Sequence, residues 1–173
     1  MTVRAEELKE LREMIIKMAS LVEAAIGDSV RSLTERDSEL AEKIIKNDHR
    51  INALDVKIDE ECIRLLALMQ PMAGDLRFIT TAMKVTTDLE RIGDNAVNIA
   101  ERALELNKEA ILKPYIDVPK MSAISRGMIR DTIEAFVKGD SKLARDVIMR
   151  DDEVDDLNAS VMRELAFIMT QDP

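Results

Sequence analysis

Apolar residues recur in a three-four alternation along most of this chain, and that rhythm admits helix and little else. Leu8, Leu11, Ile15, Met18, Val22, Ala25 and Leu33 form the first stripe, predicting a helix from about Thr2 to Leu33. "ERDSEL" interrupts it, and Asp37 supplies an N-cap for the next helix. Leu40, Ile44, Ile51, Leu54, Ile58, Cys62 and Leu65 carry that second helix to "QPM", residues 70–72, where proline stops it. A third helix is expected from about Met72 to Asn107. "KEAILKPYIDVPK", with Pro114 and Pro119, is the one substantial linker. A fourth helix is expected from about Pro119 to Val137, with Gly139 as its C-cap and Asp140 as the next N-cap. The fifth runs to about Thr170, before "QDP".

Composition agrees and narrows the function. Tryptophan is absent, the aromatic content is 2%, and the 173 residues include only five Gly and four Pro, which disfavours strands. A net charge of −9 argues against nucleic acid or an anionic lipid surface as partner. The single cysteine, Cys62, cannot form an internal disulfide and reads as a core residue. No apolar run approaches the roughly 20 residues of a membrane span. "MTVRAEELKE" is charged from its start and carries no secretory pattern, so a cytoplasmic location is expected.

The chain also repeats itself. A shift of 103 positions superposes Asp28 on Asp131, Asp37 on Asp140, Ser38 on Ser141, Leu40 on Leu143, Ala41 on Ala144, Asp48 on Asp151 and Leu54 on Leu157. "LMQP" after the second helix is answered by "MTQDP" after the fifth. The expected fold is therefore all-α: tandem three-helix bundles from a duplicated unit, the second lacking its last helix. The first bundle spans residues 1–108, a linker covers 109–118, and the incomplete second bundle covers 119–173. A sixth helix would follow Pro173, so the chain reads as truncated.

Within the third helix, Leu76, Met83, Glu90, Val97 and Leu104 are spaced by sevens and lie nearly over one another. Glu90 thus stands in an otherwise apolar column, with Asp94 one turn on and Asn98 and Glu101 extending the polar interruption. Val85, Leu89, Ile92, Ala96, Ile99 and Ala103 are expected to form a second apolar face almost opposite. The second helix offers Asp55 and Asp59, also four apart, with Asp48 two turns earlier. Two such pairs on adjacent antiparallel helices bring four carboxylates together, a cluster that needs metal or shared protons. All-oxygen ligation suits iron, manganese, magnesium, calcium, or zinc with added ligands. The competing explanation is ion pairing, with Arg91, Arg102 and Lys57 available. His49, the only histidine, is expected on an exposed helix face. Gly93, inside a helix, makes sense if a neighbouring helix or a metal-bound oxygen approaches closely.

"LERIGDNAVNIAE" at 89–101, with "IDEECIRLLALMQPMAGDLR" at 58–77, resembles the PhoU family of phosphate-specific transport accessory proteins. The similarity extends over essentially the whole chain. It implies a pair of three-helix bundles and a cytoplasmic negative regulator of phosphate uptake and phosphate-starvation signalling. It further implies action on the sensor histidine kinase PhoR and the transporter ATPase PstB, peripheral to membrane complexes, and a homodimer. Family members that bind multinuclear metal clusters do so through E(D)xxxD pairs, which fall here on Asp55/Asp59 and Glu90/Asp94. The second half departs from the pattern. Asn158 and Met162 stand opposite Asp55 and Asp59, while Asp151 and Asp155 remain as a weaker pair.

No nucleophile–base pair or phosphate-cradling glycine loop is present, so the leading expectation is a metal-binding adaptor without catalysis. A carboxylate-bridged metalloenzyme and a metal-free helical oligomerisation module are the alternatives.

Overall fold

A computed structural model describes residues 3–111 and 115–171. Thr2, Pro114 and the closing residues 172–173 lie outside the described residues. The described chain is helical throughout: α1 (Val3–Thr34), α2 (Ser38–Asn47), α3 (His49–Met69), α4 (Ala73–Leu106), α5 (Asp117–Lys138) and α6 (Ser141–Gln171). Contacts divide it between Glu109 and Ala110 into two compact units.

In the first unit α1, α3 and α4 pack on one another, with α2 closing one end against α1 and α4. Leu11, Ile15, Met18 and Val22 of α1 are fully buried, facing Ile58, Cys62 and Leu65 of α3 and Ile79 and Ala82 of α4. Each such aliphatic side chain contributes about 1.5–3 kcal/mol on leaving water. The expected stripes are therefore core.

Two expectations need correction. The helix predicted from Asp37 to Gln70 is divided at Asp48, although the backbone there stays helical at φ −54°, ψ −37°. Its carbonyl accepts from Ile51 N at 2.8 Å as well as Asn52 N at 3.3 Å, and its carboxylate Oδ2 accepts from Asn52 Nδ2 at 2.8 Å. An aspartate that bonds its own following turn tightens and interrupts the ladder. The second correction concerns α4. Its buried residues are Ile79, Ala82, Thr86, Leu89, Gly93, Ala96, Ala100 and Ala103, a single stripe. The two faces expected to be nearly opposite are the two shoulders of that stripe: Met83, Glu90, Val97 and Leu104 on one side, Val85, Ile92 and Ile99 on the other, all half-buried, while Leu76 is exposed. Small residues run along its middle because α1 and α3 approach there.

The second unit is the pair α5 and α6. Ile133, Ala135 and Val147 are its buried apolar residues, whereas Val154, Leu157, Val161 and Leu165 are half-buried and Met162 and Phe167 exposed. Helix α5 starts two residues before the expected Pro119, which fits a first-turn proline.

The turns that open α2 and α6 share two hydrogen bonds at the shift of 103. Asp37 N donates to Ser32 O and Asp140 N to Ala135 O, at 2.9 and 2.8 Å. Asp37 Oδ1 caps Leu40 N at 2.9 Å, and Asp140 Oδ1 caps Leu143 N at 3.0 Å. The preceding residue is left-handed in both: Arg36 at φ 56° and Gly139 at φ 70°. Arginine occupies this conformation at some cost, and its guanidinium is tied to the carbonyls of Asn107 and Glu109 at the end of α4.

Candidate functional site

Helix α3 carries Asp55 and Asp59, and α4 carries Glu90 and Asp94; packing of α3 on α4 brings the two sets toward one another. Glu90 sits on the shoulder of the α4 stripe, half-buried between Met83 and Val97. Burial raises its pKa first, and the charges of Asp94, Asp55 and Asp48 raise it further, with Arg91 opposing weakly. Asp55 is likewise raised, by burial and then by Asp59. The buried Thr86 hydroxyl lowers it by donating a hydrogen bond. By distance that hydroxyl donates to the carbonyls of Ala82 and Met83 in its own helix, at 3.1 and 3.2 Å. The carboxylates of two helices thus act on one another.

Ion pairing does not relieve them. Arg91 pairs with Asp88 at 3.3 Å and Arg102 with Glu105 at 2.6 Å, on exposed turns, while Lys57 acts on Glu61. Glu61 is instead held by Arg64, which also reaches Glu7 of α1 at 3.0 Å. Among the described residues no cation pairs with Asp55, Asp59, Glu90 or Asp94.

The donor set suits a hard cation in charge and chemistry, but its geometry is only partly assembled. No three His, Cys, Asp or Glu side chains converge on one point among the described residues. Asp94, Asn98 and Glu101 are exposed, as are Asp151 and Asp155 on α6 in the second unit. Asp48 is half-buried, and its Oδ1, shielded from solvent, has no hydrogen-bond partner among the described residues. Such an oxygen costs roughly 1–3 kcal/mol unless something donates or coordinates there.

Gly93 explains the close approach of the two helices. A Cβ at that position would meet Ile51 Cδ1 at 3.1 Å and Cγ2 at 3.3 Å, with Asp48 Oδ1 at 3.9 Å. The near neighbour is an apolar side chain of α3, with the orphaned carboxylate beside it. His49 is exposed, its Nδ1 2.8 Å from Lys46 O, and Cys62 is buried with its thiol pushed up to about 11 by burial.

Sequence reasoning missed Thr86 and the lining of a cavity of ≈ 190 Å³ between α1, α2, α3 and α4, which includes Asp28, Asn47, Asp48 and Gly93. A signal for Thr86 was available, since it stands seven residues from both Ile79 and Gly93 in a buried row. The cavity had none, because its walls come from four separate elements.

The PhoU domain family matches residues 15–103 and 118–173. A phosphate-specific transport system accessory protein PhoU homolog of Aquifex aeolicus is 46% identical over 97% of this chain, which spans 76% of that protein. A homolog of the same description from Pseudomonas putida is 41% identical over 96% of this chain, which spans 66% of it. The crystal structure of PhoU from Pseudomonas aeruginosa matches with a TM-score of 0.92 and 38% identity, covering 98% of this chain and 81% of the other.

Proposed function

The chain belongs to the PhoU family, and on that premise we propose that it is a non-catalytic regulatory adaptor of a phosphate transport system. In this reading it works in the cytoplasm, as a homodimer, damping phosphate uptake and phosphate-starvation signalling. It does so by binding a sensor histidine kinase of the PhoR type and a transporter ATPase of the PstB type. Among the described residues no helix is long and apolar enough to cross a membrane, which suits a protein that meets membrane complexes from outside.

The observation that carries a metal-linked form of this role is Glu90, partly buried and surrounded by Asp94, Asp55 and Asp48 without a paired cation. Asp55, Asp59, Glu90 and Asp94 would hold a hard cation, iron, manganese, magnesium or zinc, singly or as a cluster. The bound charge would neutralise carboxylates that otherwise repel. Because three ligands do not yet converge, ligation requires side-chain rotation on α3 and α4, so metal would stiffen this face of the bundle. A metal-free helical module is the second reading, favoured by that same lack of convergence.

Elemental analysis of purified protein, paired with co-purification of the kinase and the ATPase, tests both parts. Bound metal lost in an Asp55→Asn/Glu90→Gln variant, together with weakened partner binding, is the expected result. Partner binding with no metal and no effect of the variant would leave the adaptor and remove the metal. Failure to bind either partner would remove the adaptor itself.

A further inference from the structure

The two units differ at one place where their repeat predicts likeness. The shift of 103 sets Ala24 against Gly127, Asp28 against Asp131 and Asn47 against Arg150. In the second unit Arg150 reaches from α6 back to α5, where its Nη2 donates to Asp131 Oδ2 at 2.6 Å. Its Nη1 lies 3.7 Å from where a Cβ on Gly127 would stand. In the first unit the same three positions, Ala24, Asp28 and Asn47, line the ≈ 190 Å³ cavity. The short Asn47 cannot fill the volume that a guanidinium fills in the repeat. Asp48, next to it, contributes a solvent-shielded carboxylate oxygen with no donor among the described residues.

From this correspondence we propose that the cavity between α1, α2, α3 and α4 receives a guanidinium group, taking the place that the Arg150 side chain takes in the second unit. Asp28 then plays the part of Asp131, and Asp48 Oδ1 gains its missing donor. The planar fork of a guanidinium matches paired carboxylates, which a spherical ion does not. Charge around the cavity permits this. Lys43 and Arg50 line it as exposed residues, so water and salt screen their charge. Arg31 holds Asp28 Oδ1 at 3.3 Å in an exposed pair, and Asn52 holds Asp48 Oδ2 at 2.8 Å. Asp48 Oδ1 stays free of both. Glu90, on α4, adds negative potential close by. The site does not depend on metal at Asp55, Asp59, Glu90 and Asp94.

The guanidinium could come from a small molecule or from an arginine of a partner protein, and the probes separate these. Ligand-observed NMR on the full chain, treated with chelator, uses ethylguanidinium and capped arginine amide, with tetramethylammonium at equal ionic strength as control. Saturable binding of ethylguanidinium, weakened at least tenfold by Asp48→Asn, is expected. Binding of ethylguanidinium alone indicates a small molecule, and equal binding of capped arginine indicates a side chain. Asn47→Arg supplies the group in cis. It should abolish binding and raise Tm by a few degrees beyond Asn47→Gln, and Asp28→Asn should cancel that gain. No saturable binding, or binding unchanged in folded Asp48→Asn and Asn47→Arg variants, would overturn the proposal. So would an Asn47→Arg gain that survives Asp28→Asn.

Discussion

Gly93 of α4 lies against Ile51 of α3 so closely that a Cβ at 93 would stand 3.1 Å from Ile51 Cδ1. Both residues are buried, so neither can yield into solvent. The contact sets the spacing of the helices that carry the carboxylates.

Gly93→Ala therefore opposes two effects. Alanine gains about 1 kcal/mol of helix propensity over glycine. Overpacking costs about 1–3 kcal/mol, and the branched Cγ2 of Ile51, at 3.3 Å, cannot rotate clear while Cδ1 stays at 3.1 Å. A net loss of about 1 kcal/mol is expected in urea denaturation. Ile51→Val removes Cδ1, so the double variant should lose less than the sum of the two single changes. Additive losses would show that the two side chains do not compete for this space.

Glu90→Gln should stabilise metal-free protein at neutral pH. The folded pKa of Glu90 is raised above 4.5, so its favourable contribution is complete below 4.5 and is lost as pH rises through the folded value. Chelated wild-type protein should accordingly melt lower at pH 7 than near pH 5, and the variant should show a smaller difference. Added metal should raise Tm with the logarithm of its concentration in the wild type and less in the variant. A variant that is less stable at pH 7 in chelator would instead mean that the ionised Glu90 is held by a favourable partner.

Thr86→Val keeps the shape of a fully buried side chain and removes its hydroxyl. The ionised Asp55 loses a hydrogen bond, which should cost about 1 kcal/mol at neutral pH. The loss should shrink as pH falls toward 3.8 and Asp55 protonates, because the hydroxyl is what lowers its pKa. Stability curves at pH 7 and pH 4 provide the comparison, and a loss independent of pH would assign the hydroxyl to the Ala82 and Met83 carbonyls.

Gly139→Ala and Arg36→Gly should both lose stability, for different reasons. Gly139 has open space around its Cβ position but φ of 70°, so Gly139→Ala should cost about 1 kcal/mol from backbone strain alone. Arg36→Gly relieves the same strain but removes two charge-assisted hydrogen bonds to the end of α4, worth about 1.5–3 kcal/mol each. It should destabilise the first unit, as hydrogen exchange at the last turn of α4 would reveal. Unchanged exchange there would mean that the guanidinium does not tether it.

The helices, their stripes and their caps were legible from the sequence because they follow from local rules. Asp37 and Asp140 cap where a short acceptor precedes a periodic run, and Leu11, Ile15 and Met18 are buried because three-four spacing gathers them on one side. The duplication was legible for the same reason, since equal local patterns build equal turns. The carboxylate pairs were also visible, as residues four apart on one helix must be neighbours. Which shoulder of α4 faces inward was not, because periodicity assigns an apolar arc and leaves its centre to packing. Packing of α4 on α1 and α3, with the contact of Gly93 against Ile51, fixes that centre on the small residues and turns Glu90 to the edge. The break at Asp48, the reach of Thr86 to Asp55, and the cavity beside Asn47 likewise depend on groups distant in the chain, whose meeting no local pattern encodes.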